Sequence, residues 1–347
     1  MVGADGRLPL PWLQPALQAV LGSARPHHAL LVHGAEGVGQ FELALTLAQA
    51  WLCEAAIDLR SRPCGNCPGC RLVLSHNHPD LLVLLPEALQ EPLGWAREDE
   101  TAGGTAKSER KPSKELKVDV VRQAVAFAQL TASRGRAKVV VFYPAERLNM
   151  VAANTLLKTL EEPPGDVRFI LACGAPAALP PTVRSRCQAL HLALPDPALA
   201  ARWLTEQGVA EAEVLLAAAG GQPLQAKAWS DDGIDADAWR RLPADVAAGR
   251  AGGLAAWPVP RMIEALQKLC HDALLGTVGV APRYFPGVPN ATDASALHAW
   301  SRVLARAARH AEHPVTAGLL VESLVSQGRA AWLAKHRARG TSVDYSA

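Results

Sequence analysis

Short, mainly apolar runs alternate with amphipathic stretches through the first half of the chain. The runs cover residues 29–33, 81–85, 137–142 and 167–172. Runs of this length bounded by turn residues read as strands buried on both faces. Between them, the helical spacing of apolar residues predicts helices over 13–21, 43–52, 117–130 and 149–162. In the third, Val118, Val121, Val125 and Ala128 share one side; in the fourth, Ala152, Ala153, Leu156, Leu157 and Leu160 face inward. Pro163-Pro164-Gly165 ends the fourth, because proline cannot continue a helix. Pro180-Pro181 opens a short helix, and 187–194 alternates as a strand. Strand and helix in alternation predict an α/β unit around a parallel sheet.

Beyond Pro195-Asp196-Pro197 the pattern is helical only. Three short helices are expected over 197–207, 211–219 and 223–229, split by Gly208 and Gly220-Gly221. Asp231-Asp232-Gly233 reads as a linker, and several helices without a clear strand follow over 236–337. Residues 86–117 break the rhythm: they are charged, contain Gly103-Gly104 and hold few β-branched apolar residues. They are expected to form a mobile insertion, a solvated loop rather than a nucleic-acid contact.

The 347 residues suffice for two or three domains. With 35 basic and 33 acidic residues the net charge is +2, which does not point to nucleic-acid binding by charge. No apolar run reaches the roughly 20 residues that span a bilayer. Residues 1–15 lack a charged region followed by a long apolar core, so no secretion signal is expected. Seven cysteines, three of them in CxxCxxC, fit a reducing compartment with a metal site, and the chain is expected in the cytoplasm.

Two stretches carry candidate chemistry. Gly34-Ala35-Glu36-Gly37-Val38-Gly39-Gln40-Phe41 lies between a strand and a helix, where glycines let backbone N–H groups cradle an anion. Gly34 and Gly39 stand where a GxxxxGK[ST] loop has them, with Gly37 extra. Gln40 replaces the lysine and Phe41 the magnesium-binding hydroxyl. A tight strand-to-helix turn is the plain alternative. The run 137–142 ends in Tyr143-Pro144, where an ATPase needs acidic residues for the metal and the attacking water. The second stretch is Cys53, Cys64, Cys67 and Cys70. Turns at Gly65 and Pro68-Gly69 bring pairs of thiolates to one ion, and zinc takes four ligands. Cys53 is the natural fourth ligand, with His76 and His78 as competitors. A closed four-cysteine site is structural, not catalytic.

Asn154-Thr155-Leu156-Leu157-Lys158-Thr159-Leu160-Glu161-Glu162-Pro163-Pro164, followed by Ser185-Arg186-Cys187, resembles the bacterial clamp-loader branch of AAA+ proteins. The cysteine cluster after the phosphate-loop helix belongs to the same branch. The resemblance covers about residues 8–230; over the later helices it rests on length and helical content. It implies a RecA-like AAA+ domain over 1–194, with a zinc module at 53–70 and the insertion at 86–117. A small helical lid over 195–232 and an all-α collar over 233–347 would follow. It implies a non-catalytic member of the loader of the DNA polymerase III holoenzyme, which places a sliding clamp on primed DNA during replication. The partners implied are ATP-binding tau/gamma-type subunits, a delta subunit, the clamp and the primed DNA, with no membrane.

Residue by residue, Arg186 matches the arginine that completes a neighbour's ATP site, flanked by Ser185 and Cys187. Arg184 is a second candidate. Cys53, Cys64, Cys67 and Cys70 match the zinc ligands. In the lid, Leu224 stands where active relatives carry a sensor arginine. With Gln40, Phe41 and Tyr143 out of pattern as well, neither ATP binding nor hydrolysis is expected, and no clustered carboxylates offer nucleotidyl transfer. The alternatives are an active motor subunit of the same loader, or a zinc-ribbon nucleic-acid-binding protein.

Overall fold

The computed structural model describes residues 1–23, 28–55, 57–96, 112–285, 288, 293–311 and 317–334. Its contacts divide into two compact units, Met1–Asp196 and Pro197–Ala347.

Five parallel strands organise the first unit: β1 (Ala29–Gly34), β2 (Leu81–Leu84), β3 (Lys138–Phe142), β4 (Val167–Cys173) and β5 (Gln188–Leu192). Their order across the sheet is β2-β3-β4-β1-β5. Among the described residues these α-helices accompany them: α1 (Gln14–Leu21), α2 (Gln40–Leu52), α3 (Pro68–Leu74), α4 (Glu87–Gln90), α5 (Val118–Gln129), α6 (Met150–Glu161) and α7 (Pro181–Arg184). Alternation along the strands divides the core. Leu31, Val140, Phe142, Phe169 and Leu171 join Val121, Ala124, Leu156 and Leu160 of α5 and α6 in one cluster. Leu30, Val32, Val139, Val141 and Ile170 point to the other face, where α2 packs on β1, β3 and β4. Every residue of α2 except Glu42 is buried. This explains why its apolar pattern runs around the whole helix rather than along one stripe.

Two differences from the sequence reading have local causes. Pro68-Gly69, expected as a turn, opens the helix α3. Pro68 occupies the first helical position, and the Cys67 thiol accepts from the Cys70 N–H as an N-cap. The apolar run 137–142 contains Lys138, whose side chain is buried. Its Nζ lies 3.2 Å from Asp80 Oδ1 and 3.9 Å from the centroid of the Phe127 ring. Asp80 also accepts from the Ser133 and Arg134 N–H groups at 2.8 and 2.9 Å. Burial alone would raise the Asp80 pKa; those N–H groups and the Lys138 ammonium outweigh it and hold the carboxyl below its ordinary range.

Part of the expected insertion, residues 97–111, lies outside the described residues. Its two described flanks are tied at one carboxylate, because Glu87 accepts from the Ser113 N–H at 2.8 Å and from Lys117 Nζ at 3.1 Å.

Among the described residues the second unit contains helices and no strand. They are α8 (Pro197–Glu206), α9 (Ala212–Ala218), α10 (Pro223–Asp231), α11 (Ala236–Ala248), α12 (Val259–Thr277), α13 (Ala294–Arg309) and α14 (Ala317–Leu333). One core joins Ala218 and Trp229 to Trp239, Leu266, Trp300 and Val325, so helices on both sides of Asp232 share it. Buried Asp272 gathers the N–H groups of Arg283, Tyr284 and Phe285 at 3.0, 2.6 and 2.8 Å. That contact lays Phe285 against Trp239, with ring centroids 4.4 Å apart. Among the described residues no helix is long and apolar enough to cross a membrane.

Candidate functional site

The phosphate loop leaves β1 at the carboxyl end of the sheet, where open α/β sheets place their ligands. Gly34 pairs with Leu192 of β5, and a Cβ there would lie 2.4 Å from the Leu192 carbonyl oxygen. Gly37 and Gly39 have φ of 77° and 111°, the left-handed region that favours glycine. The glycine pattern therefore has the expected backbone consequence.

The interior of the loop is filled from within. Gln40 is 4% exposed. Its Nε2 donates to the carbonyls of Gly34 and Ala35, both at 2.7 Å, and its Oε1 accepts from the Gly39 N–H at 3.3 Å. A donor that would face a phosphate is already bound to a side-chain amide. The next residue is buried as well. Phe41 stacks on Tyr143, with centroids 4.7 Å apart and planes 19° from parallel. Burial, with nearby Glu42, Glu36 and Glu146, pushes the Tyr143 phenol well above its ordinary range, so it stays a neutral ring. The N-terminal residues cover the loop from outside. Trp12 Nε1 donates to the Val38 carbonyl at 2.8 Å, and Leu10 and Leu13 press on the Gly39 backbone. Glu146 accepts from the Gly174 and Ala175 N–H groups at 2.9 and 3.2 Å. No sequence pattern signals that contact, which joins residues 28 and 29 positions apart.

The four cysteines converge. All four Sγ atoms lie within 4.8 Å of one another, with Cys53–Cys67 and Cys64–Cys70 at 3.9 Å. Sulfurs bonded at about 2.3 Å around a tetrahedral ion lie about 3.8 Å apart, so the spacing fits a four-coordinate metal. Cys53 ends α2, Cys64 and Cys67 lie in the turn, and Cys70 is on α3. Backbone N–H groups of Glu54, Cys67 and Cys70 point at sulfur at 3.3, 3.4 and 3.4 Å. Burial alone would raise the Cys67 thiol, but the Cys70 and Glu54 N–H groups and neighbouring thiols bring it to about 6. Burial pushes Cys70 and Cys53 up instead. Such a set needs a cation to hold all four as thiolates. His76 and His78 are not members of this set. His76 stacks on Trp95 at 3.9 Å, and His78 Nδ1 accepts from the Asp80 N–H at 3.1 Å.

Ser185, Arg186 and Cys187 lie between α7 and β5, at the amino end of the sheet. Arg186 Nε donates to Glu161 Oε1 at 2.8 Å, and Nη2 donates to the same oxygen. Nη1 donates to the Thr182 carbonyl at 2.8 Å. The guanidinium therefore caps α7 and pairs with the last residue of α6. Burial pushes the Cys187 thiol up to about 12, so it packs as a neutral group. Arg184 is exposed on α7.

The family model described as DNA polymerase III, delta subunit matches residues 12–196, just over half of the chain. The DNA polymerase III subunit delta' of Pseudomonas aeruginosa is 35% identical over 228 residues, 65% of this chain and 62% of that protein. That of Escherichia coli is 36% identical over 211 residues, 60% of this chain and 56% of that protein. The DNA polymerase III subunit tau of Salmonella typhimurium is 35% identical over 177 residues, 51% of this chain and 23% of that protein. The matched region thus spans a little over half the length of the delta' relatives. The filled phosphate loop, the cysteine cluster and Ser185-Arg186-Cys187 all lie inside the part that matches, and the chain belongs to the DNA polymerase III delta-subunit family, among relatives named subunit delta'.

Proposed function

We propose that the chain is the non-catalytic delta-prime subunit of a DNA polymerase III clamp loader, helping to place a sliding clamp on primed DNA during replication. The observation that carries this reading is the occupied phosphate loop. Gln40 satisfies the loop's own groups, and the Phe41–Tyr143 stack stands where a magnesium ion and its ligands belong. Residues 34–41 hold no lysine or arginine to neutralise a triphosphate. The chain then contributes shape and one cation. Arg186 precedes β5 at the amino end of the sheet, whereas the loop follows β1 at the carboxyl end. An arginine so placed does not serve its own loop, and it faces the nucleotide of an adjoining subunit. There its fixed charge stabilises the transferred phosphoryl group.

In this reading the fold is AAA+, with a RecA-like domain over 1–194, a lid over 195–232 and a collar over 233–347. The partners are ATP-binding tau/gamma-type subunits and delta, with the clamp and primed DNA met through the complex, in the cytoplasm. Cys53, Cys64, Cys67 and Cys70 hold one zinc ion that braces the turn after α2. Closed four-cysteine coordination gives the ion no open position for chemistry.

The test reconstitutes the loader from the ATP-binding subunits, delta and this chain. Arg186→Ala leaves assembly intact and lowers ATP hydrolysis at the adjoining site, by on the order of 10³ if it acts as arginine fingers do elsewhere. Unchanged hydrolysis refutes the role of Arg186. ATP turnover by this chain alone, at the rate of the motor subunits, refutes the non-catalytic reading.

A further inference from the structure

We propose that Glu161 is a positioning residue for Arg186, holding its guanidinium in reserve until a nucleotide phosphate takes the same N–H groups. The inference rests on the reading of Arg186 as a donor to another subunit's nucleotide. All three guanidinium nitrogens are engaged within the chain. Nε and Nη2 both donate to Glu161 Oε1, while Nη1 donates to the Thr182 carbonyl and reaches Ser185 Oγ at 3.5 Å. A phosphate is gripped through two parallel N–H groups on one edge of the fork. The Nε–Nη2 edge is taken by Glu161. The Nη1–Nη2 edge has one nitrogen on Glu161 and the other on Thr182. Release from the carboxylate must therefore precede or accompany a two-pronged grip on phosphate.

The location of Glu161 separates this role from helix stabilisation. It is the last residue of α6, where the partial negative charge of the final carbonyls disfavours a carboxylate. Pro163 and Pro164 follow after Glu162 and fix where the helix stops. The side chain gains nothing from its own helix and finds its partner 25 residues later. The pair is also open to exchange. The side chains of Arg186 and Glu161 are 29% and 48% exposed, so an incoming phosphate can reach them. Exposed pairs of this kind bias an equilibrium by only about two- to fivefold and weaken with salt. Holding back part of the population lowers apparent nucleotide affinity by the fraction held, and leaves the chemical step unchanged once Arg186 is engaged.

The experiment measures MgATP turnover by the assembled loader containing the full chain. Glu161→Gln removes the charge and keeps the size. It lowers the KM for MgATP by about two- to fivefold, leaves kcat unchanged and reduces the salt dependence of KM. Glu161→Asp keeps the charge and restores most of the wild-type KM. With Arg186→Ala in the same chain, Glu161→Gln has no further effect. In the isolated full chain, hydrogen exchange at the Arg186 Nε–H, followed by NMR, speeds up in folded Glu161→Gln. An unchanged KM together with unchanged exchange overturns the proposal. So does a fall in kcat in Glu161→Gln like that of Arg186→Ala, because Glu161 would then be needed for the engaged state. If Arg186→Ala itself leaves turnover unchanged, the underlying reading fails as well; failure of Glu161→Gln alone leaves that reading standing.

Discussion

Replacing Gln40 with alanine removes the group that fills the phosphate loop. The truncation strips a donor from two carbonyls, each bonded at 2.7 Å, and an acceptor from the Gly39 N–H at 3.3 Å. Two short bonds at about 1 kcal/mol each, a weaker third and the cost of leaving buried carbonyls unpaired sum to about 2–4 kcal/mol. For a unit the size of Met1–Asp196, each kcal/mol moves the thermal midpoint by about 2–4 °C. Calorimetry of the full chain is thus expected to show the first unit melting about 4–16 °C lower. Millimolar MgATP should not recover the loss, because a ligand stabilises only a state that binds it, and Phe41 and Tyr143 still close the metal position. Gln40→Lys, which restores the phosphate-binding side chain alone, should likewise gain nothing from MgATP. A midpoint within about 1 °C of wild type would refute the idea that the carboxamide holds the loop, on the same scaling. A rise of several degrees with MgATP in either variant would refute the idea that the site is closed.

The purified chain should carry about one zinc, counted by metal analysis; Cys64→Ser or a strong chelator should remove it and lower the melting point of the first unit. Gly65→Ala should cost about 1–3 kcal/mol and weaken metal retention. Gly65 has φ of 75°, and its Cβ would lie 1.9 Å from the Gly3 carbonyl oxygen. Asp80→Asn, leaving buried Lys138 without its counter-charge, should cost about 3–5 kcal/mol near neutral pH by denaturant titration. The folded pKa of Asp80 is depressed, so its stabilisation is complete above the unfolded value of about 3.9 and is lost as pH falls through the folded one. The variant should therefore lose part of the wild type's acid dependence. Parallel stability-versus-pH curves would contradict the assignment.

The central strands β1, β3 and β4 were legible because they are almost wholly buried, which makes them short, mainly apolar runs; the largely exposed β5 was legible by its alternation instead. The loop was legible in its glycines, since Gly37 and Gly39 adopt φ values that side chains resist. What Gln40 does there was not legible. Sequence marks the missing lysine; only the folded loop shows the carboxamide turned inward onto Gly34 and Ala35. The spacing picked out Cys64, Cys67 and Cys70 and favoured Cys53 over His76 and His78 as the fourth; spacing alone could not decide, because Cys53 reaches the cluster by way of how α2 ends, a tertiary matter. The pairing of Lys138, inside the apolar run, with Asp80 was not legible, because the two are 58 residues apart. Likewise, Arg186 stood out by its flanking residues, but Glu161 beneath it did not, because a helix-terminal glutamate is unremarked until something folds onto it.

The close approach of Gly34 to Leu192 gives the phosphate loop a purpose that does not need a nucleotide. β5 is a strut about 13 Å long, with Arg186 two residues before its start and Leu192 at its last residue. Gly34 is the stop against which the far end rests, with no room for a methyl group between the two backbones. Shifting the loop would push the strut, and a pushed strut moves the root of Arg186. The loop can in this way set the reach of a side chain at the opposite end of the sheet, and Gln40 keeps the stop rigid from within, donating to the Gly34 and Ala35 carbonyls and accepting from the Gly39 N–H.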